Sequence, residues 1–103
     1  MAGFVQAAKV GELAPGTMKL VEVEHRDIVL INIEGNFYAL DNECPHAGCD
    51  LADGDLDGTL LECDCHGSRF NVMTGAVQNP PADSPVKTYA VRIEGDNVLV
   101  DPA

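Results

Sequence analysis

The sequence predicts an all-β protein, and three observations carry that prediction. Residues with high β propensity occur in short runs, and turn residues such as Gly, Pro, Asn and Asp separate these runs. No window has the apolar spacing that is typical of an amphipathic helix. The length of 103 residues fits one domain with one core. We therefore expect many short antiparallel strands in a single domain over residues 1–103.

Four strands are predicted in the first part of the chain. They lie at residues 4–10, 18–23, 27–33 and 36–40. The second of them follows the turn sequence Ala14-Pro15-Gly16. The third and fourth flank the dipeptide Glu34-Gly35, so we expect a β-hairpin there.

Five more strands are predicted in the second part. They lie at residues 59–63, 69–72, 76–77, 86–94 and 97–101. The first of these follows the turn at Asp57-Gly58, and the next two flank Thr74-Gly75. The last two flank Gly95-Asp96, which predicts a second hairpin.

The charge of the chain is strongly negative. It has 17 acidic residues, 6 basic residues and a formal net charge of −11. Eight of the acidic residues lie between Asp41 and Asp64, where there is no lysine or arginine. This balance argues against binding to nucleic acid or to an anionic membrane surface, which both require positive charge. The acidic stretch is either a solvated loop or a face that attracts basic patches on a partner protein.

The N-terminal region contains no targeting signal that we can identify. The first six residues include neither a basic region nor a long apolar stretch, which argues against a signal peptide. The longest uncharged apolar run is far too short to cross a bilayer. We expect a soluble, cytoplasmic protein.

Two short motifs are the most informative part of the sequence. Cys44-Pro45-His46 is followed, after sixteen residues, by Cys63-Asp64-Cys65-His66. Each motif offers a thiolate and an imidazole from a single loop. Two thiolates on one iron and two imidazoles on the other can hold a [2Fe–2S] cluster. A structural zinc site also accepts two Cys and two His, but zinc-finger spacings group like ligands together, whereas each loop here mixes them.

The pattern Cys-x-His, sixteen residues and Cys-x-x-His resembles the Rieske iron–sulfur family. This resemblance implies stacked antiparallel sheets with a small cluster-binding subdomain at about residues 42–82. It also implies that Cys44 and Cys63 bind the inner iron of a [2Fe–2S] cluster, and that His46 and His66 bind the outer iron near solvent. Two neutral imidazoles in place of two thiolates make the unit less negative, which raises its reduction potential.

The resemblance extends to residues around the ligands. Cys49 and Cys65 match two further cysteines that link the ligand loops by a disulfide in some Rieske proteins. The alternative is two small buried thiols. Ser68 matches a serine that donates a hydrogen bond to a bridging sulfide, although it could be a plain turn residue. Phe70 stands where high-potential members have a tyrosine, so we expect an intermediate potential and a core role for Phe70.

Three further positions are predicted to surround the centre. Gly48 and Gly67 are either turn glycines or residues that let backbone N–H groups approach the cluster sulfides. Pro80 belongs to the sequence Asn79-Pro80-Pro81, which, with Ser84-Pro85, resembles the proline-rich loop that covers the cluster in the family. The alternative is an ordinary connection between strands.

The resemblance implies a Rieske-type ferredoxin, an electron carrier between a flavin-dependent ferredoxin reductase and a terminal oxygenase that acts on aromatic compounds. The partners would dock transiently on the acidic face. A catalytic oxygenase needs a second iron held by two His and a carboxylate, and only His25 remains after the cluster ligands. We interpret His25 as structural or solvated, and the chain as a carrier rather than an enzyme. The alternatives are a small subunit of a reductase such as nitrite reductase, a non-redox module, or a fragment of a respiratory or arsenite-oxidase-like subunit.

Overall fold

The computed structural model describes residues 3–44, 49–64, 67–79 and 84–102. These residues form ten strands in two antiparallel sheets, which confirms the predicted all-β antiparallel architecture, although nine strands were predicted. The strands are β1 (Val5–Lys9), β2 (Thr17–Val23), β3 (Arg26–Ile33), β4 (Asn36–Asp41), β5 (Asp55–Asp57), β6 (Leu60–Glu62), β7 (Arg69–Asn71), β8 (Val77–Asn79), β9 (Thr88–Glu94) and β10 (Asn97–Asp101).

The six-stranded sheet has the order β1-β10-β9-β4-β3-β2, and the four-stranded sheet has the order β5-β6-β7-β8. The smaller sheet is therefore built entirely from the chain between β4 and β9. Both predicted hairpins are confirmed, since Ile33 pairs with Asn36 and Glu94 pairs with Asn97. Asp41 and Thr88, which bound the chain segment that carries the smaller sheet, lie at the ends of two neighbouring strands of the larger one.

A third two-residue hairpin connects β2 to β3. Val23 pairs with Arg26, which leaves Glu24 and His25 in the turn with φ of 50° and 68°. Two positive φ values give a turn whose twist matches that of the flanking strands. His25 is exposed on this turn, in agreement with its interpretation as a solvated residue.

Strand β3 separates two apolar cores. Residues 28–31 are all fully buried, because alternate side chains point to opposite faces of the sheet and both faces are covered. Ile28 and Leu30 pack with residues of β1, β2, β9 and β10. Val29 and Ile31 belong instead to the core shared with the smaller sheet. One face of the larger sheet thus completes its own core, and the other supports the smaller sheet.

The smaller sheet directs one row of side chains into that shared core. Leu56, Leu61, Phe70 and Val77 are cross-strand partners in adjacent strands, and all four pack in the same apolar cluster. Phe70 is fully buried, which confirms its predicted core role. Beyond this row β6 ends at Glu62 and β7 begins at Arg69, and residues 63–68 connect them. The packing of the row therefore fixes where this connection begins and ends.

Several strand bounds shift by one or two residues, and two differences from the sequence prediction have a clear physical cause. The strand β5 was not predicted, because acidic residues are depleted in strands; here Leu56 pairs with Leu61 and packing decides the outcome. The predicted strand 86–94 begins at Thr88 instead, since the amide of Val86 donates to the carbonyl of Gly75 rather than to a neighbouring strand of the larger sheet.

Helical structure is limited to single turns. Two 3-10 helices, at Val10–Glu12 and Leu51–Asp53, are the helices found in the described ranges. No helix in this part of the chain is long and apolar enough to cross a membrane.

Candidate metal centre

The first loop, residues 44–49, follows β4 and is closed at its base. The amide of Cys44 donates to the carbonyl of Cys49 at 2.9 Å, and Glu43 pairs with Asp50 just outside it. The side chain of Asn42, only 3% exposed, holds the adjacent chain in place. Its Oδ1 accepts a hydrogen bond from the amide of Ala52 at 3.0 Å, which ties the loop to the following 3-10 turn.

The second loop, residues 63–68, joins β6 to β7. The amide of Cys63 donates to the carbonyl of Ser68 at 2.8 Å, and the amide of Gly67 donates to the carbonyl of Cys63 at 3.0 Å. Gly67 has a φ of 76°, a conformation that favours glycine. The cross-strand pair Glu62 and Arg69 lies immediately outside this loop. The strand ladder therefore continues directly into the closure of the loop.

The two loops are closed by the same type of hydrogen bond at their ends. In each, the cysteine amide donates to the carbonyl of the residue five positions later. Cys44 and Cys63 are each 1% exposed, and both belong to the apolar core shared by the sheets. Neither sulfur is in a disulfide. Two similarly closed loops thus each begin with a buried thiol in the same apolar core.

Two glycines allow close approaches of the backbone, one of them between the flanks of the two loops. A Cβ on Gly54 would overlap the carbonyl oxygen of Glu62, the residue before Cys63. A Cβ on Gly75 would overlap the carbonyl oxygen of Val86, and Gly75 also has a φ of 78°. The Gly54 contact places the turn after the first loop directly against the strand that enters the second.

One arginine is surrounded by carboxylates beside the second loop. The Nη2 of Arg69 lies 3.0 Å from Oε1 of Glu62, and its Nη1 lies 3.6 Å from Oδ2 of Asp57. Arg69 is the only lysine or arginine between Asp27 and Lys87. Most of the acidic residues from 41 to 64 are exposed, so the surface in this region is strongly negative.

The predicted site residues fall into two groups. Cys44, Cys49, Cys63, Gly67 and Ser68 lie within the described structure, and Ser68 is fully buried. The sulfur of Cys49 is disulfide-bonded. The remaining predicted residues lie outside the described residues; they are His46, Gly48, Cys65, His66 and Pro80.

Sequence reasoning missed three contacts, two beside the loops and one between the smaller sheet and the chain before β9. Asn42 follows a strand and looks like an ordinary turn residue, yet it is buried and hydrogen-bonded. Gly54 has a φ of −83° and no local turn signal that explains it. Gly75 was predicted only as part of a turn, and its approach to Val86 has no signal in the local sequence.

Comparison with known proteins identifies the family. The model of the Rieske [2Fe-2S] domain matches residues 3–90. The chain belongs to this family. The Rieske protein is 39% identical over 99 residues to the biphenyl dioxygenase ferredoxin subunit of Pseudomonas sp. (strain KKS102), which covers 95% of this chain and 91% of that one.

Solved Rieske structures have the same fold. The ferredoxin of carbazole 1,9a-dioxygenase from Nocardioides aromaticivorans IC177 superposes with a TM-score of 0.94 at 31% identity, covering 97% of this chain and 98% of that one. A putative NADH-dependent nitrite reductase small subunit from Mycobacterium tuberculosis has a TM-score of 0.89 at 18% identity, covering 100% and 97%. The second likeness concerns the fold alone. The stacked-sheet Rieske fold predicted from the sequence is confirmed.

The family carries a [2Fe–2S] cluster, and so does this Rieske protein. The described residues fit such a group. Cys44 and Cys63 are thiols outside any disulfide, and each is 1% exposed in an apolar core. Thiolates are the usual protein ligands of iron in such clusters, and burial keeps water from the sulfur side of the site.

Proposed function

We propose that this Rieske protein is a one-electron carrier that accepts electrons from a flavin-dependent ferredoxin reductase and delivers them to a terminal oxygenase acting on aromatic compounds. The observation that carries the proposal is the pair of buried thiols on matched loops, in a chain that aligns over almost its full length with a dioxygenase ferredoxin subunit. The cluster supplies reversible one-electron chemistry. The chain is a carrier rather than an enzyme.

The proposed ligands are Cys44 and Cys63 on one iron and His46 and His66 on the other. Burial of both thiols supports the cysteine assignments. The histidine assignments are supported by their positions, each within three residues of a ligand cysteine in the sequence. Imidazole ligands near solvent would offer a short exit for an electron.

The residues around the ligands have proposed roles as well. A disulfide between Cys49 and Cys65 would link the two loops, which the disulfide at Cys49 supports. The complete burial of Ser68 beside Cys63 supports a hydrogen bond from its hydroxyl to a cluster sulfide. Gly67, and by analogy Gly48, would turn the loops tightly around the cluster. Pro80 would belong to a covering loop.

Partners would dock transiently on the acidic surface formed by residues 41–64. The exposed carboxylates of this surface include Glu43 and Asp50 beside the first loop, and Asp64 within the second. Basic patches on a reductase and an oxygenase would be attracted to it, which raises association rates at low salt. A structure solved as a complex of reduced oxygenase and oxidised ferredoxin in carbazole 1,9a-dioxygenase includes a chain 29% identical to this one, with a TM-score of 0.89. A cytoplasmic location fits such partners and remains a prediction.

A role as a nitrite reductase subunit is the weaker alternative. The nitrite reductase relative is 18% identical, and a likeness at that level concerns the fold. The dioxygenase ferredoxins are the relatives that support a function.

The ligand proposal is tested by substituting each histidine. His46→Ala and His66→Ala should abolish the electron paramagnetic resonance signal of a reduced Rieske cluster. His25→Ala is the matched control, because His25 is exposed on the β2–β3 turn and should leave the signal unchanged. An unchanged signal in His46→Ala or His66→Ala would show that the ligand set is wrong.

The carrier proposal is tested by reconstitution. The purified protein should be reduced by a biphenyl-dioxygenase-type ferredoxin reductase with NADH, and should then be reoxidised by the matching oxygenase with its substrate. Both steps are followed by the absorbance of the cluster. The apparent rate should fall as salt is raised, since the attraction is electrostatic. Failure of reduction and of reoxidation with such partners would refute this function.

A further inference from the structure

We infer that Arg69 raises the reduction potential of the centre by neutralising Glu62, the carboxylate that directly precedes Cys63. The inference rests on the proposed function, because it takes Cys63 as a cluster ligand. Arg69 acts through Glu62, so it is a positioning residue and not itself a ligand.

The guanidinium of Arg69 is held by two carboxylates. Its Nε and Nη2 both lie 3.0 Å from Oε1 of Glu62. Its Nη1 lies 3.6 Å from Oδ2 of Asp57 on the neighbouring strand β5. Two donors on one oxygen fix the orientation of the side chain, which a single flexible ammonium could not do.

This ion pair lies at the entrance of the second loop. Glu62 and Arg69 are cross-strand partners, and the next contact along the ladder is the hydrogen bond from Cys63 to Ser68. Each member of the pair is therefore one residue from the loop, on the face of the strand opposite to the buried Cys63, since neighbouring side chains point to opposite faces. At an ionic strength of about 0.01 M the Debye length is about 30 Å, so a charge change at this pair acts on an electron added at the Cys63 end of the site.

The negative charges around Arg69 explain why its positive charge affects the reduction potential. The eight acidic residues from Asp41 to Asp64 all oppose the addition of an electron, and Arg69 is the only lysine or arginine between Asp27 and Lys87. The thiol of Cys63 is 1% exposed, so solvent screens its surroundings poorly on that side. The side chains of Arg69, Glu62 and Asp57 are 36%, 39% and 74% exposed. Ion pairs with that exposure contribute little to stability, so a change of potential in a variant of Arg69 would not follow from a loss of stability.

The test compares two substitutions at Arg69 with one at Arg92. Arg69→Gln removes the charge and keeps a polar side chain, whereas Arg69→Lys keeps the charge and loses the planar fork. Arg92 is a matched control: it also pairs with a carboxylate, Glu94 at 3.4 Å, but it lies on β9 of the larger sheet. Each variant is first checked for cluster content by absorbance, and its reduction potential is then measured by protein-film voltammetry at low ionic strength.

We expect Arg69→Gln to lower the ratio of reduced to oxidised protein at a fixed potential by about threefold, which corresponds to about 28 mV at about 59 mV per tenfold change for one electron. Arg69→Lys should retain most of the parent potential, and Arg92→Gln should equal the parent. The inference is overturned if Arg69→Gln leaves the potential unchanged, or if Arg69→Lys falls as far as Arg69→Gln. A parent protein with no redox wave would instead overturn the proposed function.

Discussion

The first and second loops are closed by the same amide-to-carbonyl hydrogen bond, but different structures hold their ends. The second loop continues a strand ladder, so its closure follows from the pairing of β6 with β7. The first loop is flanked by one isolated pair, Glu43 with Asp50, and by the hydrogen bond from the amide of Leu51 to the carbonyl of Asn42 at 2.7 Å. In addition, the buried side chain of Asn42 accepts a hydrogen bond from the amide of Ala52 ten residues along the chain.

This difference teaches that one local geometry can have two kinds of support. Backbone pairing distributes the support of the second loop over several hydrogen bonds, so no single side chain carries it. The first loop has less backbone pairing beside it, and the buried side chain of Asn42 adds one further bond whose loss would leave the part-buried amide of Ala52 without this partner. We therefore expect single side-chain substitutions to loosen the first loop, and backbone or covalent changes to affect both.

The largest effect is expected from the covalent link between the loops. Cys49→Ser should lower the free energy of unfolding by about 3 kcal/mol, because the proposed bridge to Cys65 closes a loop of about 15 residues. Denaturant unfolding of the variant and the parent measures this difference in the free energy of unfolding. Reductant should destabilise the parent and leave Cys49→Ser unchanged. Equal stability of parent and variant would show that the bridge does not constrain the loops.

A smaller loss is expected where the turn after the first loop contacts the strand that enters the second. Gly54→Ala should cost about 2 kcal/mol, because the new methyl group overlaps the backbone carbonyl of Glu62 and the β6 strand must move. Thermal unfolding and cluster content measure the change. Gly11→Ala is the control, since nothing lies within 4 Å of a Cβ at Gly11. Equal effects of the two substitutions would mean that the loops do not depend on this contact.

Two buried asparagines can show whether cluster retention depends on the bond beside the first loop or only on the stability of the whole domain. Asn42→Ala should cost about 1.5 kcal/mol through the unsatisfied amide of Ala52, and it should speed the loss of cluster to a chelator. Asn32→Ala breaks comparable bonds, to Leu13 and Gly35, at the far side of the larger sheet. It should cost similar stability without speeding cluster loss. If both variants lose stability equally and also lose the cluster at equal rates, Asn42 has no specific role in the first loop.

The smallest effect concerns pH in the larger sheet, beside the strand that enters the first loop. Burial of Tyr89, with a further contribution from the negative charge of Asp41, raises the pKa of its phenol above the ordinary value of 10.0. The neutral phenol therefore contributes stability that is fully present below about pH 10 and is lost as the pH rises through the higher folded value.

Ultraviolet difference absorbance in a Tyr38→Phe background follows Tyr89 alone, since the chain has two tyrosines. Asp41→Asn should lower the midpoint of this titration, whereas Asp96→Asn, in the exposed β9–β10 turn, should not. Equal midpoints in all three proteins would show that Asp41 does not act on Tyr89.

The sequence predicted the elements whose signals are local. The hairpins at Glu34-Gly35 and Gly95-Asp96 were predicted correctly because a two-residue turn depends mainly on its own backbone preferences. The strand β5 was missed because its two aspartates oppose strand formation locally, while Leu56 gains a buried partner in Leu61. Tertiary packing outweighed propensity there.

The predictions for the candidate site divide in the same way, into those that depend on local sequence and those that depend on tertiary contacts. Cys44 and Cys63 were predicted as ligands from the two motifs and the resemblance that they carry, and both lie buried in one shared core. The contact of Gly54 with Glu62 could not be predicted, because it crosses from one strand to the next through a β5–β6 pairing that was itself unforeseen. The role of Asn42 could not be predicted either, since an asparagine after a strand usually faces solvent.

The sequence by itself determined the strand-rich composition, the two ligand motifs, the acidic charge and the resemblance to the Rieske family. These properties are encoded in single residues or in neighbours along the chain. Only the tertiary structure decided that both loops close by the same bond, that Gly54 meets Glu62 and that Arg69 faces two carboxylates. Such contacts depend on the register and packing of strands, and a change of one residue in register would direct the same side chains to the opposite face.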